Sequence, residues 1–221
     1  MESPWGTLPE KPPYVLGCDA CYVDAFNAKA DHDHRLQLDL LPEPFLGRVD
    51  APIVLLGLNP GFTAKDVPAE HSSDYVSRWH SNLIHAPARY PFYLLDPSLD
   101  APGRKWWEQR LGQLVKATSQ RGVANSVLCV EYFPYHSRKY QAHAVLPSQT
   151  YGFELVRSAL DRGALVIAMR GLPLWKAAVP ELEARSHAMR SPQNPTFTRR
   201  NCPDAFDQAV EMVSAGNWSP A

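Results

Sequence analysis

Three stretches of this chain gather side chains that can act on a planar, charged ligand. The first is Gly57-Leu58-Asn59-Pro60-Gly61-Phe62, where an amide stands in a tight turn directly after an apolar run. An asparagine amide both donates and accepts hydrogen bonds, and flanking glycines permit close backbone approach. Asn-Pro-Gly is equally an ordinary turn signal, so a plain strand-to-helix cap stays open. The second stretch, Tyr132 to Tyr140, interleaves aromatics with His136, Arg138 and Lys139. Aromatic faces stack on bases and cations meet phosphates, the two ingredients of binding a single strand or a flipped base. The third runs from Arg190 to Asn201 and holds Ser191-Pro192-Gln193-Asn194-Pro195, then Phe197, Arg199 and Arg200. Its bland alternative is a solvated basic turn. Cys18-x-x-Cys21 with His32-x-His34 places four ligand types in a short span, though not at a standard zinc spacing. A zinc knuckle and a plain helix N-terminus both fit it, and no metal or other cofactor is assigned.

The elements that must position these residues can be read from the apolar runs. Ala51 to Gly57 is a continuous apolar run bounded by proline and glycine, the pattern of a strand covered on both faces. Ser126 to Pro134 and Ala164 to Met169 repeat it, and Ser186 to Met189 is a shorter candidate. Helical character falls near residues 104–120 and 151–162, and Pro203 to Ala215 reads as a closing helix with proline at its start. Alternating strands and helices predict an α/β fold, a three-layer α/β/α sandwich around a central four-stranded parallel sheet. In such sheets ligands bind beyond the carboxyl ends of the strands, where Asn59, Glu131 to His136 and Arg190 to Asn201 would converge. Residues 1–42 are expected to form an irregular, proline-rich arm with one short helix, and residues 43–221 the single globular unit.

Bulk properties narrow the class. With 221 residues and 45% hydrophobic content, one domain can bury a catalytic pocket. A formal net charge of −1 lacks the overall basic excess of many nucleic-acid binders, so any DNA footprint must be local. No apolar run reaches the roughly 18 residues a membrane span needs. Four scattered cysteines do not make a disulfide framework, which suits a reducing, cytoplasmic setting. A monomer is expected.

Gly57-Leu58-Asn59-Pro60-Gly61 resembles the first motif of the uracil-DNA glycosylase superfamily, in the form of its thymine/mismatch-specific and single-strand-selective branches. Ser191-Pro192-Gln193-Asn194-Pro195 is similar to the second motif of the single-strand-selective branch. The resemblance implies a monofunctional glycosylase that flips a uracil-like or modified cytosine base out of DNA and hydrolyses its N-glycosidic bond, in repair or phage defence. A weakly catalytic base-binding module and a nucleoside or nucleotide hydrolase are the alternatives. Breaking that bond builds oxocarbenium-like charge on the sugar, so catalysis needs a held water and a stabilised leaving base. By resemblance Asn59 positions the water, while Gly57, Leu58, Pro60, Gly61, Phe62 and Asn194 surround the base. Relatives often carry a histidine ahead of the second motif. Met189 stands there in this chain, leaving Ser191, Arg190 or backbone N–H groups to help the leaving base. The resemblance also implies a wedge pushed into the duplex, for which Phe197, Arg199 and Arg200 are available, and an aromatic stacked on the base, Phe92 or Tyr93. Space for a group at C5 would lie among the loops holding Phe92 and His71. Some branches hold an iron-sulfur cluster, but Cys129 in a core strand and Cys202 far downstream match it poorly.

Relatives read the base edge with an asparagine after the second strand, and Glu131 takes that place. An ionised carboxylate only accepts hydrogen bonds, which favours the exocyclic amino group of a cytosine-type base. A protonated Glu131 would instead imitate an amide, and an ion pair with a nearby arginine is the third reading.

Overall fold

In the computed structural model, which describes residues 3–63 and 72–216, the three long apolar runs form strands β2 (Ile53–Leu56), β3 (Val127–Val130) and β4 (Leu165–Ala168). All twelve of these residues are buried, as the unbroken apolar runs require of strands covered on both faces. The shorter candidate forms β5 (Ser186–Ala188), and an unanticipated two-residue strand, β1 (Phe45–Leu46), pairs with the outer side of β3. The sheet order is β1-β3-β2-β4-β5, with β1 antiparallel and the other pairings parallel. The expectation of a four-stranded parallel sheet is thus corrected to five strands in a mixed sheet. Phe45 and Leu46 are too few to show a strand pattern, and only pairing with Val130 and Cys129 makes them one.

Seven α-helices lie among the described residues: α1 (Ala20–Asn27), α2 (Ser73–Leu83), α3 (Pro102–Ala117), α4 (Gln120–Ser126), α5 (Gln149–Asp161), α6 (Leu172–Ala178) and α7 (Pro203–Ala215). The closing helix has its expected bounds. The helix expected over residues 104–120 instead breaks at Thr118, and Ser119 caps a new one by accepting from the Gly122 N–H at 3.0 Å. Helices α2 and α6 were not foreseen. Ser72 caps α2 through the Tyr75 N–H, and α6 springs from Gly171, whose φ of 66° suits glycine. Helix α5 packs against β3 and β4, and α7 against β4. Trp175 of α6 is fully buried and donates its indole N–H to the Gly57 carbonyl at 2.7 Å, fixing the end of β2.

Residues 3–42 pack onto the rest of the domain, with Leu16, Val23 and Leu36 in its core cluster. Trp5 packs edge-on against Tyr135, and the Tyr135 hydroxyl donates to the buried carboxylate of Asp19 at 2.8 Å. Asp19 also accepts the Ser148 N–H at 3.0 Å, so this buried charge is bonded to two distant elements of the body. Among the described residues, no helix is long and apolar enough to cross a membrane.

Candidate active-site cleft

Strand order reverses between β2 and β4, since β2 connects outward to β3 and β4 outward to β5. Ligands in open α/β sheets bind at that reversal, beyond the carboxyl ends of the strands. A cleft of 630 Å³ lies there, lined after β2 by Gly57, Leu58, Asn59, Gly61 and Phe62, with Pro60 buried outside the lining, by Glu131 after β3 and by Met169 and Arg170 after β4. The loops are stitched together: Phe133 N–H donates to Leu58 O at 2.9 Å and Ser137 N–H to Pro60 O at 3.4 Å. Gly171 lies against Leu58, where an added β-carbon would come within 2.9 Å of its Cδ1.

Asn59 has a divided role. Its Nδ2 donates to Pro60 O and to Ser137 Oγ, both at 3.0 Å, and Ser137 Oγ donates onward to Lys139 O at 2.9 Å. The amide is therefore held from its nitrogen side, as a turn cap would be. Its Oδ1 takes no hydrogen bond from the described residues and is left as an acceptor beside the cleft.

Glu131 is partly exposed as a residue, yet its Oε2 is enclosed without a hydrogen-bond partner. Oε1 takes only the weak thiol contact of Cys129 at 3.8 Å. Burial of the carboxyl, reinforced by the neighbouring charge of Glu43, pushes its pKa up to about 8 against the opposing pull of Arg170, Cys129 and His136. The acid form thus predominates at neutral pH. This favours the amide-like carboxylic acid, which donates and accepts, over the ionised acceptor. Arg170 acts on Glu131 only as a nearby charge, since the described residues contain no ion pair between them.

Glu43, which sequence reasoning missed, also lines the cleft, and its Oε1 accepts from Tyr75 and Tyr93, each at 2.9 Å. Pairing of β1 with β3 sets it beside Glu131, whose N–H donates to Pro44 O at 3.0 Å. Its setting in Leu-Pro-Glu-Pro-Phe carries no sequence signal of a site. Trp106 and Tyr140 line the cleft as well. Arg170 was missed despite standing at the end of an apolar run, the same signal that picked out Asn59 and Glu131.

Other expected residues fall elsewhere. Phe92 is fully buried edge-on against Trp107, 4.9 Å between ring centres, and does not line the cleft. Phe197 is fully buried against Phe206 and is core, not a wedge. Ser191, Arg190 and Asn194 are exposed outside the cleft lining; of that loop only Pro195 contributes. Asn194 turns into its own loop, accepting from Thr196 Oγ1 at 3.1 Å, and Asn201 organises the segment through Ser191 N–H, Asn194 O and Thr196 O. Met189 is buried. Arg199 is bound to Asp207 at 2.5 Å, and Arg200 is exposed. Arg138 and Lys139 flank the cleft, the first over the Phe62 ring at 5.2 Å and the second paired with Asp33 at 2.7 Å. His136 is buried, each ring nitrogen facing a backbone carbonyl, Gly61 O at 2.7 Å and Leu41 O at 3.0 Å. It braces the Asn59 loop from behind. His71 lies outside the described residues. Cys18 and Cys21 are exposed free thiols, His34 is paired with Asp31, and the described residues hold no group of three or more metal-ligating side chains.

No protein-family model, curated protein or solved structure matches this chain.

Proposed function

We propose that the chain is a monofunctional DNA glycosylase that takes an extruded pyrimidine nucleotide into the cleft and hydrolyses its base-sugar bond, leaving an abasic site. The observation that carries this reading is the pairing of Asn59 and Glu131 on adjacent strand-end loops of one cleft, the first with a free acceptor and the second with a carboxyl favoured as the acid. Asn59 Oδ1 accepts from a water aimed at C1′, and the bond from Nδ2 to Ser137 holds the amide in that orientation. Glu131 in its acid form offers O–H and C=O together. That pair meets N3–H and O4 of a uracil-type base, or N3 and the 4-amino group of a cytosine-type base. A cleft of 630 Å³ leaves room beside the ring for a substituent at C5. With Ser191 and Arg190 outside the cleft lining, help for the leaving base is weak, which favours slow chemistry or an easily expelled base. The reading calls for a three-layer α/β/α arrangement and for a monomer acting on DNA in a reducing cytoplasm; α5 and α7 against the sheet support the first.

That same position of Ser191 and Arg190 favours a second reading, a module that holds an extruded base without cutting it. One panel separates the two: oligonucleotides carrying uracil, thymine opposite guanine, or cytosines with bulky C5 groups are incubated with the protein and then cleaved with alkali. Strand breaks that vanish in Asn59→Ala support the glycosylase. Tight binding without breaks on every base sinks it in favour of the module.

A further inference from the structure

Arg110 on α3, beside the cleft lining, and Arg170 after β4, within it, both bond to the same short loop. Arg170 Nε donates to Pro192 O at 3.1 Å, and its Nη2 reaches Gln193 O at 3.5 Å. Arg110 Nη1 donates to Thr196 Oγ1 at 3.2 Å, while its own carbonyl accepts the Phe197 N–H at 2.8 Å. The two cations are near enough that the charge of Arg170, after burial, lowers the pKa of Arg110. Neither guanidinium is among the ion pairs of the described residues, and Arg110 Nε is enclosed with no acceptor. Each guanidinium has five N–H donors, so most of this donor capacity meets no acceptor among the described residues. Arg110 also lies 4.9 Å from the centre of the Trp106 ring, and Trp106, Arg170 and Pro195 line the cleft.

Two like charges held near one another, with no ion-paired carboxylate among the described residues, are unfavourable until an anion joins them. A tetrahedral phosphate suits two planar guanidinium forks, which donate in pairs to its oxygens. We propose that Arg110 and Arg170 form a phosphate-binding site at the rim of the cleft, holding the phosphate attached to the nucleotide whose ring enters beside Trp106. From the proposed function the inference takes only that the ligand carries a nucleotide; it needs no bond cleavage. The phosphate belongs either to a nucleic-acid strand or to a free nucleotide, and the test has an arm for each.

Binding of a fluorescent oligothymidine and of thymidine monophosphate is measured against salt for the wild type, Arg110→Gln, Arg170→Gln and the double variant, with Lys116→Gln as an exposed control outside the cleft. The double variant should lose about tenfold or more in affinity, and its salt dependence should flatten by roughly one unit of slope if one phosphate contact is lost. Arg170→Lys keeps the charge and should keep the slope, which separates anion binding from support of the loop. Thermal melts identify any variant that fails to fold. Loss on the oligonucleotide alone assigns the phosphate to a strand, and equal loss on the monophosphate assigns it to a free nucleotide. Unchanged affinity and slope in a folded double variant overturn the site. Failure of base excision with this loss intact refutes the glycosylase and leaves the phosphate site standing.

Discussion

The Cα of Gly57 sits against the carboxyl group of Glu131 so closely that a β-carbon there would lie 2.1 Å from Oε2. Glycine at the end of β2 is therefore what lets a carboxyl from the neighbouring strand end fold over the cleft floor. Glu131→Ala should weaken binding of every base, and Gly57→Ala should displace that carboxyl, the movable partner, with the same loss of binding and a stability loss of about 1–3 kcal/mol. Substrate affinity and urea midpoints of the two variants check this. Full affinity in Gly57→Ala would mean that the carboxyl does not touch the base.

Glu131 should leave a mark on stability against pH. Its pKa in the fold, about 8, is above that of an unfolded carboxyl, so the folded chain holds a proton that the unfolded chain gives up earlier. The stabilisation is complete below the ordinary carboxylate range and is lost as pH rises toward about 8. Melting temperatures from about pH 5 to about pH 9 should fall for the wild type, while Glu131→Gln, neutral throughout, should show a flatter curve. Parallel curves would count against the buried acid. Substrate binding should hold until the folded protein gives up the donor proton, and weaken as pH rises through about 8.

Asn59→Ala should fold normally and lower base excision by about two orders of magnitude, the scale of a lost water-positioning contact. Ser137→Ala, which removes one of the two acceptors of Nδ2 but keeps the bond to Pro60 O and the free Oδ1, should cost less, with kcat falling more than KM rises. Single-turnover excision on a proven substrate reads both. An Asn59→Ala enzyme at full rate would reduce Asn59 to a turn residue.

Phe197→Ala distinguishes core from wedge. A fully buried phenylalanine against Phe206 should cost about 3–5 kcal/mol of stability when truncated. Chemical denaturation checks this without DNA. A variant of normal stability that only weakens duplex binding would restore the wedge.

His136→Ala should remove the brace between Gly61 and Leu41. A neutral imidazole donates from one ring nitrogen, so one buried carbonyl loses its donor, at about 1–3 kcal/mol. Because the loop also carries Asn59, excision should fall further than stability alone explains. A destabilised protein with undiminished turnover at low temperature would show that the brace does not set the loop.

Several parts of this protein were legible from local chemistry. Runs such as Ile53 to Leu56 are apolar at every position, a pattern that burial on both faces imposes wherever the strand sits, so β2, β3 and β4 and the turns after them could be read directly. Pro203 at a helix start marked α7, since its fixed φ and missing N–H suit the first turn wherever the helix sits. Tertiary structure alone decided which aromatic faces the cleft: Phe92 and Trp106 look alike as apolar residues, but Phe92 is sealed by Trp107 while Trp106 is left at the rim. It also decided that Glu43 joins the site, because a two-residue strand acquires its register only from β3. The protonation of Glu131 is the furthest from sequence. A carboxyl's charge depends on water removed and on charges brought near by residues distant in the chain, here Glu43, Arg170 and His136, and no local pattern encodes either.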